Sequence, residues 1–331
     1  METIWIVGNN IILSIQSIGQ WQLLFMRFFS FLGSEEFFLL VAPVVLWCFD
    51  MVLGLRLGLL LNISAAINAM VKLLFHMPRP FWYSSKIIPL AEETSFGLPS
   101  GHAQNSIVVW GTLAFYIKKT WAWIVAILIV FLISYSRIYL GVHFPTDVLA
   151  GWIIGIILLV LWFWLEKPFL VWFNKFNGGI QVLIAFTGAL LIILLGWIVQ
   201  ASIGDWNLPA SWIENSHIAF PKPETINPYK LSGIISNAGA FFGLAVGGIW
   251  VFANGGFNAK GVWWKRILRF LLGVSVTLIL WFGLGQVFPR GEEFLPYVLR
   301  FFRYSLLGFW ITGFAPWLFI RLNLAETLSH K

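Results

Sequence analysis

Residues 121–165 read WAWIVAILIVFLISYSRIYLGVHFPTDVLAGWIIGIILLVLWFWL, two long apolar runs around one polar stretch. A helix needs about 20 mostly apolar residues to cross the hydrocarbon of a bilayer. Residues 121–140 and 147–165 each meet that need. Arg137 ends the first run, and Pro145 suits the first turn of the next helix, which puts Asp147 in that turn too. Asp147 follows His143 by four residues. Its carboxylate can then accept a hydrogen bond from the imidazole, fix the tautomer, and leave the other ring nitrogen free as a nucleophile. Alone, a His-x3-Asp pair is weak and is often only structural.

Composition extends this reading to the whole chain. Of 331 residues, 59% are apolar and only 11% charged, and mean hydropathy is +0.84. Soluble domains carry roughly 25% charged residues. A soluble globular enzyme and a disordered chain are excluded, and a polytopic membrane protein remains. Its 32 Phe and 20 Trp suit spans and interfaces. The spans expected are 37–50, 53–75, 102–117, 121–140, 147–165, 180–201, 232–253, 267–288 and 299–320, about nine in an all-α transmembrane bundle. Residues 3–31 interleave apolar groups with Asn, Gln and Ser and read as an interfacial amphipathic segment, with a poor span as the alternative. The chain divides into an N-terminal segment 1–36, a catalytic transmembrane core 37–165, and a C-terminal transmembrane extension 166–331.

The formal charge is +7. Its basic residues are too dispersed to track a nucleic acid, so none is expected as a partner. They suit loops and anionic lipid headgroups instead. Lys118, Lys119, Lys167, Lys175, Lys260, Lys265, Arg266 and Arg269 fall on one side by parity of the spans, which the positive-inside rule makes cytoplasmic. The stretches 76–101, 202–231 and 289–298 then face outward, although they carry Lys86, Lys222, Lys230 and Arg290. The start, METIWIVGNNIIL, lacks the basic region and cleavage site of a removable signal peptide. Cys48 is the one cysteine, so no intrachain disulfide is expected.

Two further stretches share the outward side with Arg137 and His143. In Lys72-Leu-Leu-Phe-His-Met-Pro-Arg79-Pro80, two turns of helix separate the cations. Pro78 and Pro80 end the helix, so Arg79 extends from a stiff stop. In Pro99-Ser100-Gly101-His102, Ser100 is a candidate N-cap, and the amides behind it suit an anion. Snorkelling cations and a simple cap would explain each stretch alone. Together they put three cations, an anion-binding helix start and two histidines on one face. Buried cations without an anion would repel one another, so a bound anion explains the set. A metal held by His102, His143 and Asp147 is disfavoured, because Lys72, Arg79 and Arg137 would repel it. A Ser100 hydrolase lacks the GxSxG elbow. Among nearby residues, His76 reads as a pocket wall. Glu92 and Glu93 read as a solvated loop face, with gating of a headgroup as the alternative. Phe81, Trp82 and Tyr83 read as an interfacial belt.

The ordered set Lys72-x6-Arg79-Pro80, Pro99-Ser100-Gly101-His102 and Ser136-Arg137-x5-His143-x3-Asp147 resembles the three-part signature of the type 2 phosphatidic acid phosphatase family. Leu32-Gly33-Ser34-Glu35-Glu36-Phe37-Phe38, with Trp47 and Asp50, resembles its sphingosine-phosphate-phosphatase-like branch. The family resemblance implies hydrolysis of phosphate esters without metal or other cofactor. Carried over by position, it implies that His143 attacks phosphorus, Asp147 orients it, and His102 protonates the leaving oxygen. Lys72, Arg79, Ser100, Gly101 and Arg137 would hold the phosphoryl oxygens. A bell-shaped pH profile follows, with His143 neutral and His102 protonated. The reading is therefore a cell-membrane lipid phosphatase with an extracytoplasmic site, acting on phosphatidic acid, isoprenyl diphosphate, phosphatidylglycerol phosphate or a sphingoid-base phosphate. Its alternatives are a lipid phosphotransferase using the same pocket and an anion or lipid transporter. A homodimer is left open.

Overall fold

The computed structural model describes residues 2–220 and 226–328; Lys222, counted above among outward cations, lies outside them. The described residues form fourteen α-helices and no strand. In chain order they are α1 (Glu2–Gln16), α2 (Leu23–Phe31), α3 (Glu35–Cys48), α4 (Met51–Phe75), α5 (Pro80–Tyr83), α6 (Gly101–Ile117), α7 (Thr120–Tyr139) and α8 (Pro145–Phe173). There follow α9 (Gly178–Ala201), α10 (Ala210–Ala219), α11 (Ser232–Ala253), α12 (Trp263–Val287), α13 (Phe294–Phe309) and α14 (Ala315–Arg321).

Six stretches are long and apolar enough to span a bilayer: Met51–Tyr83, Thr120–Tyr139, Pro145–Phe173, Gly178–Ala201, Ser232–Ala253 and Trp263–Val287. The pair Gln20–Phe31 and Glu35–Cys48, bent by 50°, adds a seventh if it counts as one span. The protein is a multi-pass membrane protein. Three of the nine expected spans take other forms. The one at 37–50 becomes half of the bent pair, so residues 23–31 join it rather than continuing an interfacial helix. The one at 102–117 is the 17-residue α6, and the one at 299–320 is broken by a π-helical turn, Trp310–Phe314.

The chain forms two compact units. The first holds Met1–Phe37, Ile67–Val160 and Trp197–Lys230; the second holds Phe38–Ala66, Leu161–Gly196 and Leu231–Lys331. In the first, Gly151 and Gly155 let α8 lie close on α6: a Cβ at Gly151 would meet the Ser100 carbonyl at 2.7 Å, and one at Gly155 the Gln104 carbonyl at 2.8 Å. Small residues one turn apart let helix backbones approach in this way. Gln16 at the end of α1 donates to the carbonyls of Ile88 (2.8 Å) and Tyr139 (3.0 Å). Phe81 and Trp82, expected at an interface, are instead buried. Phe220 and Trp212, from the stretch read as an outer loop, pack over them at ring separations of 5.7 and 6.5 Å. Asn215 of α10 also donates to the Trp82 carbonyl at 2.9 Å. A long connection so rich in aromatics folds back because its rings have more to gain by packing than by facing water.

In the second unit, Gly239, Gly243 and Gly247 form one face of α11. A Cβ on them would strike the backbone of Phe301 and Ser305 and the Thr312 side chain. The core beside them gathers Leu46, Trp47, Met51, Ile311, Ala315 and Phe319. Trp47 donates its indole N–H to the Ile311 carbonyl at 2.8 Å. Arg56 pairs with Glu166, so two charges of span residues neutralise one another. Arg269, expected among the loop cations, is fully buried. It donates to the carbonyls of Asn258 (3.3 Å) and Ala259 (2.9 Å) and lies over the Phe257 ring. The residue caps a loop from inside the helix.

Candidate active site

Every candidate site residue lies in the first unit. Lys72 sits in the last turn of α4. His76 ends that helix with φ 49, and its ring packs between Phe96 and Trp206 at 5.4 and 4.9 Å. Arg79 follows in an extended conformation as the residue before α5. Proline on either side forbids a helical continuation, so the guanidinium projects from a stiff segment. Ser100 caps α6, its hydroxyl accepting from the Ala103 N–H at 3.4 Å, and Gly101 and His102 open that helix. Gly101 comes close to Asn68 of α4: a Cβ there would stand 3.1 Å from Oδ1. Arg137 lies in the last turn of α7. Gly141, with φ 71, turns the chain toward His143, and α8 begins two residues later.

These elements converge. Arg79 is wholly buried, and its donors reach the Ser95 carbonyl (2.6 Å), Ser95 Oγ (2.9 Å) and the Val142 carbonyl (2.9 Å). Its Nη1 is also 3.3 Å from His143 Nε2. Lys72 Nζ donates to the same Ser95 hydroxyl at 2.9 Å. Across the ring, His143 Nδ1 faces Asp147 Oδ2 at 3.3 Å, and that oxygen also accepts the Phe144 N–H at 2.9 Å. A carboxylate opposite Nδ1 keeps the proton there, so Nε2 carries the lone pair. The Asp147 carbonyl accepts the Ser100 N–H at 2.9 Å, which ties the second motif to the third. His102 lies within electrostatic reach of Arg137, Glu93, Lys72 and Arg79. Burial, and then Arg79, Lys72 and Arg137, hold the His143 pKa well below its usual range. Among the described residues, no three His, Cys, Asp or Glu side chains are grouped to hold a metal ion.

Two members of the site carry no sequence signal of their own. Glu93 was expected on a solvated loop face. It instead accepts from Arg79 Nη2 at 3.0 Å and from Arg137 Nη2, bridging the two guanidinium groups. Burial alone would raise its carboxyl pKa, but Arg79, Arg137 and Lys72 outweigh this and bring it to about 2. Ser30 of α2 accepts from Arg137 Nη1 at 2.6 Å. No local motif marks either residue. The usable signal was charge balance, because buried cations require an anion and the chain could supply one. Ser30 also lines a cavity of about 470 Å³ with Arg27, Leu90, Glu92, Leu140 and Phe220, so that cavity reaches a residue bonded to the cation cluster.

The site thus gathers two guanidinium groups on one carboxylate, with Lys72 beside them and an imidazole backed by a second carboxylate. The chain belongs to the PAP2 superfamily. Residues 53–170 match the model of the PAP2 superfamily, and 235–327 match that of the PAP2 superfamily phosphatase, transmembrane extension. Phosphatidylglycerophosphatase B of Bacillus subtilis is 34% identical over 117 residues, covering 33% of this chain and 55% of that protein. Sphingosine-1-phosphate phosphatase 2 of Homo sapiens is 28% identical over 143 residues, 41% of this chain and 35% of that one. This agrees with the branch resemblance read from Leu32–Phe38. Glucose-6-phosphatase 2 of Homo sapiens is 25% identical over 333 residues, 88% of this chain and 89% of that one. The chain thus spans about half the length of the bacterial relative and a third of the sphingosine-phosphate one.

Proposed function

We propose that this protein is a lipid phosphatase that hydrolyses lipid phosphate monoesters or diphosphates through a phosphohistidine, without a metal. The observation that carries the reading is the convergence of Arg79 and Arg137 on one carboxylate, with Lys72 bonded to the Ser95 hydroxyl that Arg79 also holds and His143 Nε2 3.3 Å from Arg79. A phosphoryl group on those cations would present phosphorus to that nitrogen. Phosphoryl transfer needs mainly positioning and charge stabilisation, which fixed cations supply.

In the first step the Nε2 lone pair attacks phosphorus and the ester P–O bond breaks. His102 gives its proton to the leaving oxygen. Asp147 holds the Nδ1–H and balances the positive imidazole. In the second step His102, now neutral, takes a proton from water. The hydroxide displaces His143 from phosphorus, and inorganic phosphate leaves. Lys72, Arg79, Arg137, Ser100 and the Gly101 amide bind the phosphoryl oxygens through both steps. The catalytic core is residues 37–165, with Ser30 of the preceding segment supporting Arg137. The site faces the extracytoplasmic side of the cell membrane, consistent with the basic connections expected on the other side.

The near full-length match to a protein named as a glucose-6-phosphatase favours one second reading, a water-soluble phosphate monoester as substrate. One experiment tests both. Phosphate release is measured from the detergent-purified full chain, with EDTA present, over lipid phosphates, lipid diphosphates and glucose 6-phosphate. His143→Ala is run alongside. Release from lipids that survives EDTA and vanishes in the variant is expected. Release from the sugar phosphate alone would replace the lipid reading, and release that EDTA abolishes would sink the metal-independent mechanism.

A further inference from the structure

We propose that Glu93 is the resident anion of the phosphate seat: its carboxylate stands where a substrate's phosphoryl group binds, must leave when that group enters, and thereby selects doubly charged phosphates over singly charged phosphodiesters. The inference rests on the phosphatase reading and names a residue that would set its specificity.

Three observations carry it. First, the two Glu93 oxygens are divided between Arg79 and Arg137, the two guanidinium groups assigned to phosphoryl oxygens. The fixed donors that hold a carboxylate in this way are those that hold a phosphate. Second, the fit is incomplete. Arg137 Nε is buried and has no hydrogen-bond partner among the described residues. A carboxylate has two oxygens to offer, whereas a phosphoryl group has three and can supply the missing acceptor. Third, the nucleophile is shut in. His143 is 1% exposed, and its Nε2 faces an Arg79 nitrogen at 3.3 Å. Phosphorus cannot approach Nε2 while Arg79 is committed to Glu93, Ser95 and Val142. Glu93 belongs to the connection between α5 and α6, its side chain is 22% exposed, and its neighbour Glu92 lines the 470 Å³ cavity. The side chain therefore has a route out of the seat that moves no helix.

Charge then sets the selectivity. Lys72, Arg79 and Arg137 together exceed the single charge of Glu93. Exchanging Glu93 for a doubly charged phosphate neutralises more of that excess. Exchanging it for a singly charged phosphodiester neutralises no more than Glu93 already does. Phosphodiester headgroups make up the surrounding bilayer surface, so a seat with its own carboxylate resists filling by bulk lipid.

The test uses the detergent-purified full chain and two probes: inorganic phosphate, and dimethyl phosphate as a singly charged diester. Calorimetry gives the dissociation constants for wild type, Glu93→Gln and Glu93→Asp. Glu93→Gln is expected to bind inorganic phosphate about tenfold more tightly or better, the equivalent of one charge-assisted hydrogen bond no longer displaced. It is also expected to bind dimethyl phosphate, which wild type resists. Unchanged or weaker phosphate binding in Glu93→Gln would overturn the inference, since a purely structural carboxylate would give that result. Should Glu93→Gln fold only with phosphate present, that dependence itself supports the exchange, and Glu93→Asp decides affinity. Its arm is too short to bridge both guanidinium groups, so it should bind phosphate several-fold more tightly while still rejecting the diester. No gain there overturns the inference. Binding is read without turnover, so a protein that binds as described yet releases no phosphate refutes the phosphatase reading and leaves this one standing.

Discussion

His143 is the nucleophile of the proposed chemistry, and its surroundings make a claim about pH. Burial and three nearby cations keep its pKa well below the ordinary value, which is about 6.5. In the proposed mechanism the neutral ring is the form that attacks. A lowered pKa therefore keeps the nucleophile competent as pH falls past 6.5 and moves its loss to more acidic solution. The acid limb of kcat/KM, which reports the free enzyme, is expected below pH 6.5, and a limb at or above it would contradict the buried neutral imidazole. His102→Ala should lower kcat by about 10²–10⁴-fold, the usual worth of a general acid, with binding of inorganic phosphate retained. At this scale most of the candidate site was legible. Lys72, Arg79, His102, Arg137, His143 and Asp147 are ionisable residues at helix ends, and Ser100 and Gly101 form a helix start; the signal lay in the ordered set rather than in any one member. Glu93 and Ser30 stand outside that set. Their roles come from tertiary proximity across 44 and 107 residues of sequence to Arg137, and no local spacing encodes such distances.

Helices were legible where apolar length decides them and illegible where packing does. The stretches at 121–140 and 147–165 stand as read, because a run of that length has one solution in a bilayer. Residues 23–48 form a bent pair, and the run near 310 takes a π-helical turn, neither of which apolar length alone foretells. The glycines of α11 show how strongly such packing is specified. A Cβ on Gly243 would fall against the Ser305 backbone, which cannot swing aside as a side chain could. Gly243→Leu should therefore force α11 away from α13, at a cost of at least about 1–3 kcal/mol for overpacking. Thermal unfolding in detergent should show a clearly lowered midpoint. Gly233, near the start of the same helix, has open space where a Cβ would stand, with nothing within 4 Å. It provides the control: Gly233→Ala should leave the midpoint nearly unchanged. Equal effects at the two positions would remove the packing argument.

The two compact units are each assembled from segments far apart in the chain, and this shapes what a truncation does. The second unit combines Phe38–Ala66 and Leu161–Gly196 with Leu231–Lys331. Ending the chain at residue 176 removes the larger part of that unit but leaves Leu46, Trp47 and Met51 in place. Trp47 would lose the Ile311 carbonyl that accepts its N–H, the Phe319 ring at 5.7 Å, and the close approach of Gly273. Within a bilayer such packing and interhelical hydrogen bonds, rather than burial from water, hold helices together. Residues 1–176 still contain every candidate catalytic and phosphate-binding side chain, including Lys72 on α4, a helix whose first turns belong to the second unit. The truncated chain is therefore expected to lose stability rather than chemistry. Its midpoint should fall and its yield of monodisperse protein should drop, while any folded fraction keeps the substrate preference of the full chain. Size-exclusion profiles and unfolding curves, read beside phosphate release per folded molecule, measure the two effects separately. A truncated protein as stable and active as the full chain would show that residues 177–331 do not support the fold. A stable one with altered substrate preference would instead assign the C-terminal helices to recognition.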